Sequence, residues 1–340
     1  MTDGQKVRWG ILSTANIGVQ KVIPAIMKSA HSEVVAIASR DLARAHTAIS
    51  HLGLRSHARA YGSYEELFED PNVDAVYNPL PNHLHVPMTL AAARAGKHVL
   101  CEKPIAINAA EAEELRALPA DILVAEAFMV RYHPQWQRAR EIVRSGELGE
   151  LRAVRAVFSY HNVDPQNVRN MADIGGGGIM DIGCYPVAGA RYLFEAEPTR
   201  VVSLIDRDPQ FGTDRLASVI ADFGGGRQLS FVCSTQASAH QSIEVIGTLG
   251  RVEIVIPFNA PPETPTAILV DAGVSLDGSL SRREIIRAVD QYTEQAEAFA
   301  QALLGQRQLD WGIEDSIKQM RVIDAIFASE KRGGWAEVAA

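Results

Sequence analysis

The chain has 340 residues, with 33 Lys and Arg against 41 Asp and Glu, a formal net charge of −8, and 47% hydrophobic residues. At roughly 100–200 residues per domain this length implies two domains, and a chain of about 300 residues buries enough surface to need no metal or disulfide staple. The acidic balance excludes a nucleic-acid surface, which depends on Lys and Arg neutralising phosphates, but leaves room for a few amides and one Arg to hold a single phosphate.

Cys101, Cys184 and Cys233 lie far apart with no CxxC pair, so neither a disulfide framework nor a zinc site is expected. Met1–Trp9 shows no apolar stretch or small-residue cleavage site, and no apolar run reaches the ~20 residues of a membrane span. The expectation is a cytoplasmic protein without a metal.

Val7–Leu12 reads as a buried strand, Asn16–Ser29 as a helix and Val34–Ala38 as a second strand. Asp41 caps a helix reaching His51, and Ser63-x-x-Glu66 is a capping box that opens a short helix ending near Pro71. Ala75–Tyr77, His98–Cys101 and Ile122–Ala125 read as further strands, with helices at Leu84–Ala95 and after the Asn108-x-x-Glu111 cap. Val/Ile/Ala-rich strands separated by helices predict a parallel sheet covered on both faces, a Rossmann domain over 1–125.

The pattern changes after Gly149. Leu151–Tyr160, Arg200–Ile205, Leu216–Phe223, Gln228–Thr235, Ile243–Ile246 and Arg251–Ile256 predict six strands, with glycine turns at 224–226 and 248–250. Pro261–Pro265 is a surface loop, and Ile313, Ile317, Met320, Ile323 and Phe327 mark one face of a closing helix. The fold class is α/β, with the Rossmann sheet followed over 126–340 by an α+β domain built on an open, mainly antiparallel sheet. Its open face calls for a cover, and a homodimer through that sheet is expected.

The dinucleotide fingerprint G-x-G-x-x-G falls on Ser13-Thr14-Ala15-Asn16-Ile17-Gly18, where only Gly18 obeys it. Taken alone, the loop fits an ordinary strand-to-helix turn equally well. At the end of the second strand, where NAD-preferring domains place an acid on the ribose, stand Ser39 and Arg40. A hydroxyl and a guanidinium suit a 2′-phosphate, so NADP is the expected cofactor.

Glu102-Lys103-Pro104 follows a strand whose carboxyl end faces the ligand crevice of such sheets, and Asn78-Pro-Leu80-Pro-Asn82-His-Leu-His85 forms a rigid ledge at the end of the preceding one. His83 and His85 have poor spacing for a shared metal. Gly175–Gly178 lets the backbone pass close to a ligand, and the following helix places Asp181 and Tyr185 on one face. An Asp and a Tyr at this spacing also serve as a helix cap and a half-buried core residue.

Glu102-Lys103-Pro104, the glycine run and Asp181-Ile-Gly-Cys-Tyr185, on this two-domain plan, resemble the Gfo/Idh/MocA oxidoreductase family over nearly the whole chain. Ala75-Val-Tyr77, Pro81-Asn82-x-Leu-His85, Gly96-Lys-His-Val99, Met180-Asp-Ile-Gly183, Arg191-Tyr-Leu193 and the Tyr at 185 are similar to its glucose–fructose and aldose–aldose branch. The resemblance implies Lys103 and Tyr185 as a catalytic pair, with Asp181 orienting substrate or Tyr185. It implies Ser13, Thr14, Ala15, Asn16, Ile17, Ser39, Arg40, Leu80, Asn82, His85, Glu102, Lys103 and Arg169 at the cofactor, and Arg131, His133, His161 and Asp164 lining a sugar pocket. The implied reaction oxidises an aldose to its lactone through bound NADP and passes the hydride to a second sugar, giving an alditol. An ordinary aldose or dihydrodiol dehydrogenase with exchanging NADP shares these residues. A dinucleotide sensor shares the loop but needs no Lys and Tyr pair.

Overall fold

The computed structural model describes residues 5–339, which form two compact units. The first runs to Met129 and takes up Asp290–Ile317; the second holds Val130–Val289 and the chain from Lys318. Residues 290–317 thus group with the cofactor-type unit, whereas the sequence reading ends that domain at 125.

In the first unit, six parallel strands are ordered β3-β2-β1-β4-β5-β6. They are β1 (Val7–Leu12), β2 (Ser32–Ala38), β3 (Arg59–Tyr61), β4 (Ala75–Asn78), β5 (His98–Cys101) and β6 (Val124–Glu126). This is the doubly wound order, and it reverses between β1 and β4, so the carboxyl ends of those two strands flank a ligand crevice. Trp9, Ile11, Ile37, Ala75 and Tyr77 are fully buried because helices cover both faces.

A π-helical turn, Gly18–Val22, leads into α1 (Ile23–Lys28). Asp41 caps α2 (Leu42–His51) by accepting from the Ala43 amide. Ser63 accepts from the Glu66 amide to open α3 (Tyr64–Glu69), and the Glu66 carboxylate returns to Gly62 N–H. α4 (His85–Arg94) and α5 (Ala109–Glu113) follow, with Asn108 capping α5.

Two elements of this unit escape the sequence reading. β3 has three residues and sits at the sheet edge, too short for an alternation signal. The helix Gln291–Leu303 buries Ala296, Phe299 and Ala300 in the sheet's core, with Phe299 at 5.4 Å from Trp9. Its small alanines make a weak periodic pattern although they pack well.

The second unit carries a nine-stranded sheet, ordered β14-β13-β12-β11-β7-β10-β9-β8-β15. Before it comes α6 (Pro134–Ser145), which the sequence reading does not contain. The strands are β7 (Leu151–His161), β8 (Arg200–Arg207), β9 (Asp214–Asp222), β10 (Gln228–Ser234), β11 (Gln236–Gly247), β12 (Arg251–Ile254), β13 (Thr266–Asp271), β14 (Arg282–Ile286) and β15 (Ala336–Glu337). All pairs are antiparallel except β7 with β10. The six expected strands are present, and β13, β14 and β15 extend the sheet. β14 begins Arg-Arg-Glu, and an edge strand with charges of this kind carries little hydrophobic signal.

One face of this sheet packs on α6 and on α7 (Cys184–Phe194), and residues 318–332 of the closing helix Ile313–Arg332 bond to β8 through Ser203, with Met320 and Ile323 buried. An aromatic group fixes α7 to the sheet: Phe158 stacks on Phe258 at 4.7 Å, and Tyr185 lies 5.5 Å from Phe258. No helix among the described residues is long and apolar enough to cross a membrane.

Candidate active site

In the first unit, β1 ends at Leu12 and Ser13 turns the chain with φ +66°, the left-handed conformation for which the fingerprint uses glycine. Its hydroxyl accepts from the Ala15 amide at 3.2 Å and stiffens the turn. The helix then starts at Asn16, and the first amides of a helix have no intrahelical acceptor. Thr14, Ala15 and Ile17 are partly exposed and Asn16 is exposed. Gly18 packs near Pro79 and Tyr77, where an added Cβ would stand at an ordinary 3.7 Å. At the end of β2, buried Ser39 accepts from the Asp41 amide while Arg40 is exposed. Arg40 also bonds the Tyr64 hydroxyl, which burial pushes up and the guanidinium pulls down.

The turn that presents Lys103 is pinned on both sides. Tyr77 donates to Glu102 Oε1 at 2.7 Å, and Glu126 Oε1 accepts from Ile105 N at 2.8 Å. The Lys103–Pro104 peptide is cis. His85 is buried with Nδ1 2.6 Å from Pro104 O and Nε2 2.7 Å from Leu80 O. Burial drives its pKa down to about 4 against those two carbonyls. At neutral pH the ring therefore carries one proton and donates to one carbonyl at a time.

His85 links the Leu80 and Lys103 turns, with both ring nitrogens committed to backbone. Asn78, fully buried, holds the same ledge through His85 O and the Leu80 amide. Tyr77, Asn78 and Glu126 support this half-site. The sequence places Tyr77 only in a strand and a family motif and Asn78 only at the start of the ledge, and Glu126 carries no signal, because each is an ordinary strand-end residue until the strands are placed side by side. Asn82 is partly exposed on the ledge.

In the second unit, a π-helical turn, Ile179–Gly183, precedes α7 and carries Asp181; Tyr185, 7% exposed, lies in the first turn of α7. Asp181 Oδ2 accepts from the Tyr160 hydroxyl at 2.6 Å and from Arg169 Nε at 2.9 Å. Burial, then the Asp181 charge, push the Tyr160 hydroxyl well up, so it stays a proton donor. The Arg169 guanidinium is held charged by Asp181 first, with Tyr160 and Tyr185 also favouring it.

The structure thus gathers Asp181, Tyr185 and Arg169, and adds Tyr160. The family resemblance implies the next residue, His161, for the sugar pocket. Strand alternation turns His161 to the opposite side from Tyr160, and it is exposed. Asp164 is exposed and caps its own loop through the Gln166 amide. His133 is fully buried as the N-cap of α6, its Nδ1 accepting from Gln135 N–H. Arg131 is buried at 5% exposure, close enough to Tyr192 to favour that residue's phenolate. The glycine run also has a role other than the one expected. A Cβ on Gly176 would fall 2.6 Å from Met171 O, and one on Gly177 would fall 1.9 Å from Asp214 Oδ1. These glycines admit the protein's own groups.

Residues 7–121 match the family described as an oxidoreductase family with an NAD-binding Rossmann fold, and residues 136–253 match the GFO/IDH/MocA C-terminal domain. A D-xylose 1-dehydrogenase (NADP(+)) of Haloferax volcanii is 40% identical over 97% of this chain and 99% of its own. This chain belongs to the Gfo/Idh/MocA oxidoreductase family. Among solved structures, the aldose–aldose oxidoreductase of Caulobacter crescentus aligns with a TM-score of 0.89 at 28% identity, over 98% of this chain and 100% of that one. The 3-ketoreductase KijD10 of Actinomadura kijaniata, in complex with NADP and TDP-benzene, aligns with a TM-score of 0.87 at 28% identity, over 96% and 98%. As a family member, the chain is a Rossmann-fold oxidoreductase with sugar-related relatives.

Proposed function

We propose that this chain is an NADP-dependent sugar oxidoreductase that oxidises an aldose at C1 to its lactone, with Tyr185 as proton carrier. The observation that carries this is the convergence of Tyr160 and Arg169 on Asp181, with Tyr185 near enough to Arg169 to favour its charge. NADP fits the first unit: Ser13 makes the tight turn, the helix N-terminus beyond it suits a pyrophosphate, and Ser39 with Arg40 suits a 2′-phosphate where a carboxylate would repel one.

When bound, NADP supplies the hydride acceptor. Tyr185 takes the proton of the C1 hydroxyl as C1 gives up its hydride, and the sugar leaves as a lactone. A nearby cation favours the phenolate that this needs, and Arg169 is one such cation. Lys103 is assigned to the same proton transfer because the family resemblance pairs it with Tyr185, and its turn follows the carboxyl end of β5, where such sheets bind ligands. Asp181 orients the hydroxyl or Tyr185. We also infer a homodimer through the open face of the second unit's sheet.

The fate of the hydride separates two versions of this reading. The xylose dehydrogenase relative supports release of NADPH, and the likeness to the aldose–aldose enzyme supports transfer to a second sugar. Purified protein is incubated with D-xylose, D-glucose and other aldoses, with and without added NADP. Lactone and alditol together without added cofactor establish the two-sugar cycle, and lactone only upon adding NADP establishes exchange. No lactone from any aldose under either condition overturns the function.

A further inference from the structure

We propose that Asp214 is a positioning residue of this reaction, a buried carboxyl latch on the start of the helical segment that carries Asp181 and Tyr185. The proposal rests on the reading of Tyr185 as proton carrier. Asp214 opens β9 and is 2% exposed. Its Oδ2 accepts from the Ile179 amide at 2.6 Å, at the first residue of the π-helical turn. Gly177, at φ +118°, brings the chain so close that a Cβ would meet Asp214 Oδ1 at 1.9 Å, and one on Gly178 would stand 3.4 Å from Oδ2. The Gly177 carbonyl in turn accepts from Asp181 N–H at 3.0 Å. One carboxyl, two glycines and one amide therefore set where Asp181 and Tyr185 begin.

The charged surroundings of this carboxyl are few. Arg207 lies opposite it across β8, Glu330 approaches from the closing helix, and the Cys233 thiol from β10. Arg207 is itself committed to Glu330, with both contacts at 2.7 Å. Burial raises Asp214 to about 7, while the Ile179 amide and Arg207 pull against it. The ionised carboxylate makes the stronger bond to Ile179 N–H. Protonation near neutral pH loosens the latch and moves Asp181 and Tyr185 off their working positions.

Asp214→Asn keeps the shape and one acceptor but removes the titration. With the fastest aldose of the panel, kcat of the wild type should fall roughly tenfold between pH ~8 and ~6 as the latch protonates, and that of D214N by less than about twofold, with KM little changed in both. Thermal unfolding gives a second readout that needs no turnover. A carboxyl raised in the fold binds more protons folded than unfolded, so its stabilisation is present at low pH and lost as pH rises towards about 7. The Tm of wild type relative to D214N should therefore fall between pH ~5.5 and ~8. Parallel pH profiles, or a Tm difference independent of pH, would overturn the latch. Full activity of Tyr185→Phe would overturn the underlying reading instead, whatever D214N does. Should D214N fail to fold, Asp214→Ser, a smaller neutral acceptor, enters the same assays.

Discussion

The Tyr160 hydroxyl donates to Asp181 Oδ2 at 2.6 Å. Asp181 also receives Arg169, so its carboxylate is fixed by two donors of the same unit, one from strand β7 and one from the loop turn at 168–170. A hydrogen bond to a charged acceptor contributes about 1.5–3 kcal/mol. Tyr160→Phe should therefore lower kcat by about tenfold, through a less well oriented Asp181, with the fold intact by circular dichroism. Tyr185→Phe and Lys103→Ala should each lower it by at least ~100-fold, the scale of acid–base groups. Near-normal turnover in Y185F and K103A would remove the proton-transfer assignment.

Arg40 offers its guanidinium at the end of β2 with no acidic residue beside it at position 39. Arg40→Ala should weaken NADP binding by roughly 10–100-fold and leave NAD binding within about threefold, since the charge-assisted hydrogen bonds to the 2′-phosphate are lost and NAD has no such phosphate. Isothermal titration with both cofactors measures this. An equal loss for the two would show that Arg40 does not read the phosphate.

Ser13 holds a left-handed backbone that costs an L-residue about 1–2 kcal/mol. Ser13→Gly relieves that strain but loses the bond to Ala15 N–H and adds unfolded-state entropy, each about 0.5–1 kcal/mol, so stability should stay within about 1 kcal/mol. Ser13→Val, β-branched, should cost about 2 kcal/mol or more in urea unfolding and weaken NADP binding. A valine variant as stable as wild type would contradict the strain.

His133 caps α6 through Nδ1 as a neutral ring, and burial, with the Arg287 charge, lowers it to about 4. Between about pH 6.5 and 4 the unfolded chain binds the proton and the folded one does not, so stability falls as pH falls through this window. His133→Asn keeps a capping acceptor without the titration. Its stability should lose less per pH unit over that range, and an unchanged acid slope would place the sensitivity elsewhere.

Leu204, Leu216, Ile220 and Val232 are exposed on one face of the second unit's sheet, from 36% to 77%. Register confirms that they share it: Leu204 pairs with Ser218, which pairs with Val232. Leu204→Lys with Ile220→Lys should shift sedimentation from dimer to monomer at micromolar concentration. A wild-type protein that sediments only as monomer would remove the dimer.

Elements whose signal is local can be read directly from the amino-acid order. Val7–Leu12, Val34–Ala38 and the Asp41, Ser63 and Asn108 caps are legible because hydrophobic runs and capping side chains act within a few residues. Lys103 and the Asp181–Tyr185 spacing were legible as motifs on a recognisable plan. Tertiary structure decided what depends on residues distant in the chain. Tyr160 rather than His161 reaches Asp181 because strand alternation sets its side. Ser13 adopts a glycine-like φ, and the alanine-rich helix Gln291–Leu303 joins the first unit, because packing outweighs weak local preference. The net charge of −8 says nothing of Asp214, whose significance comes from being buried against Gly177 and the Ile179 amide.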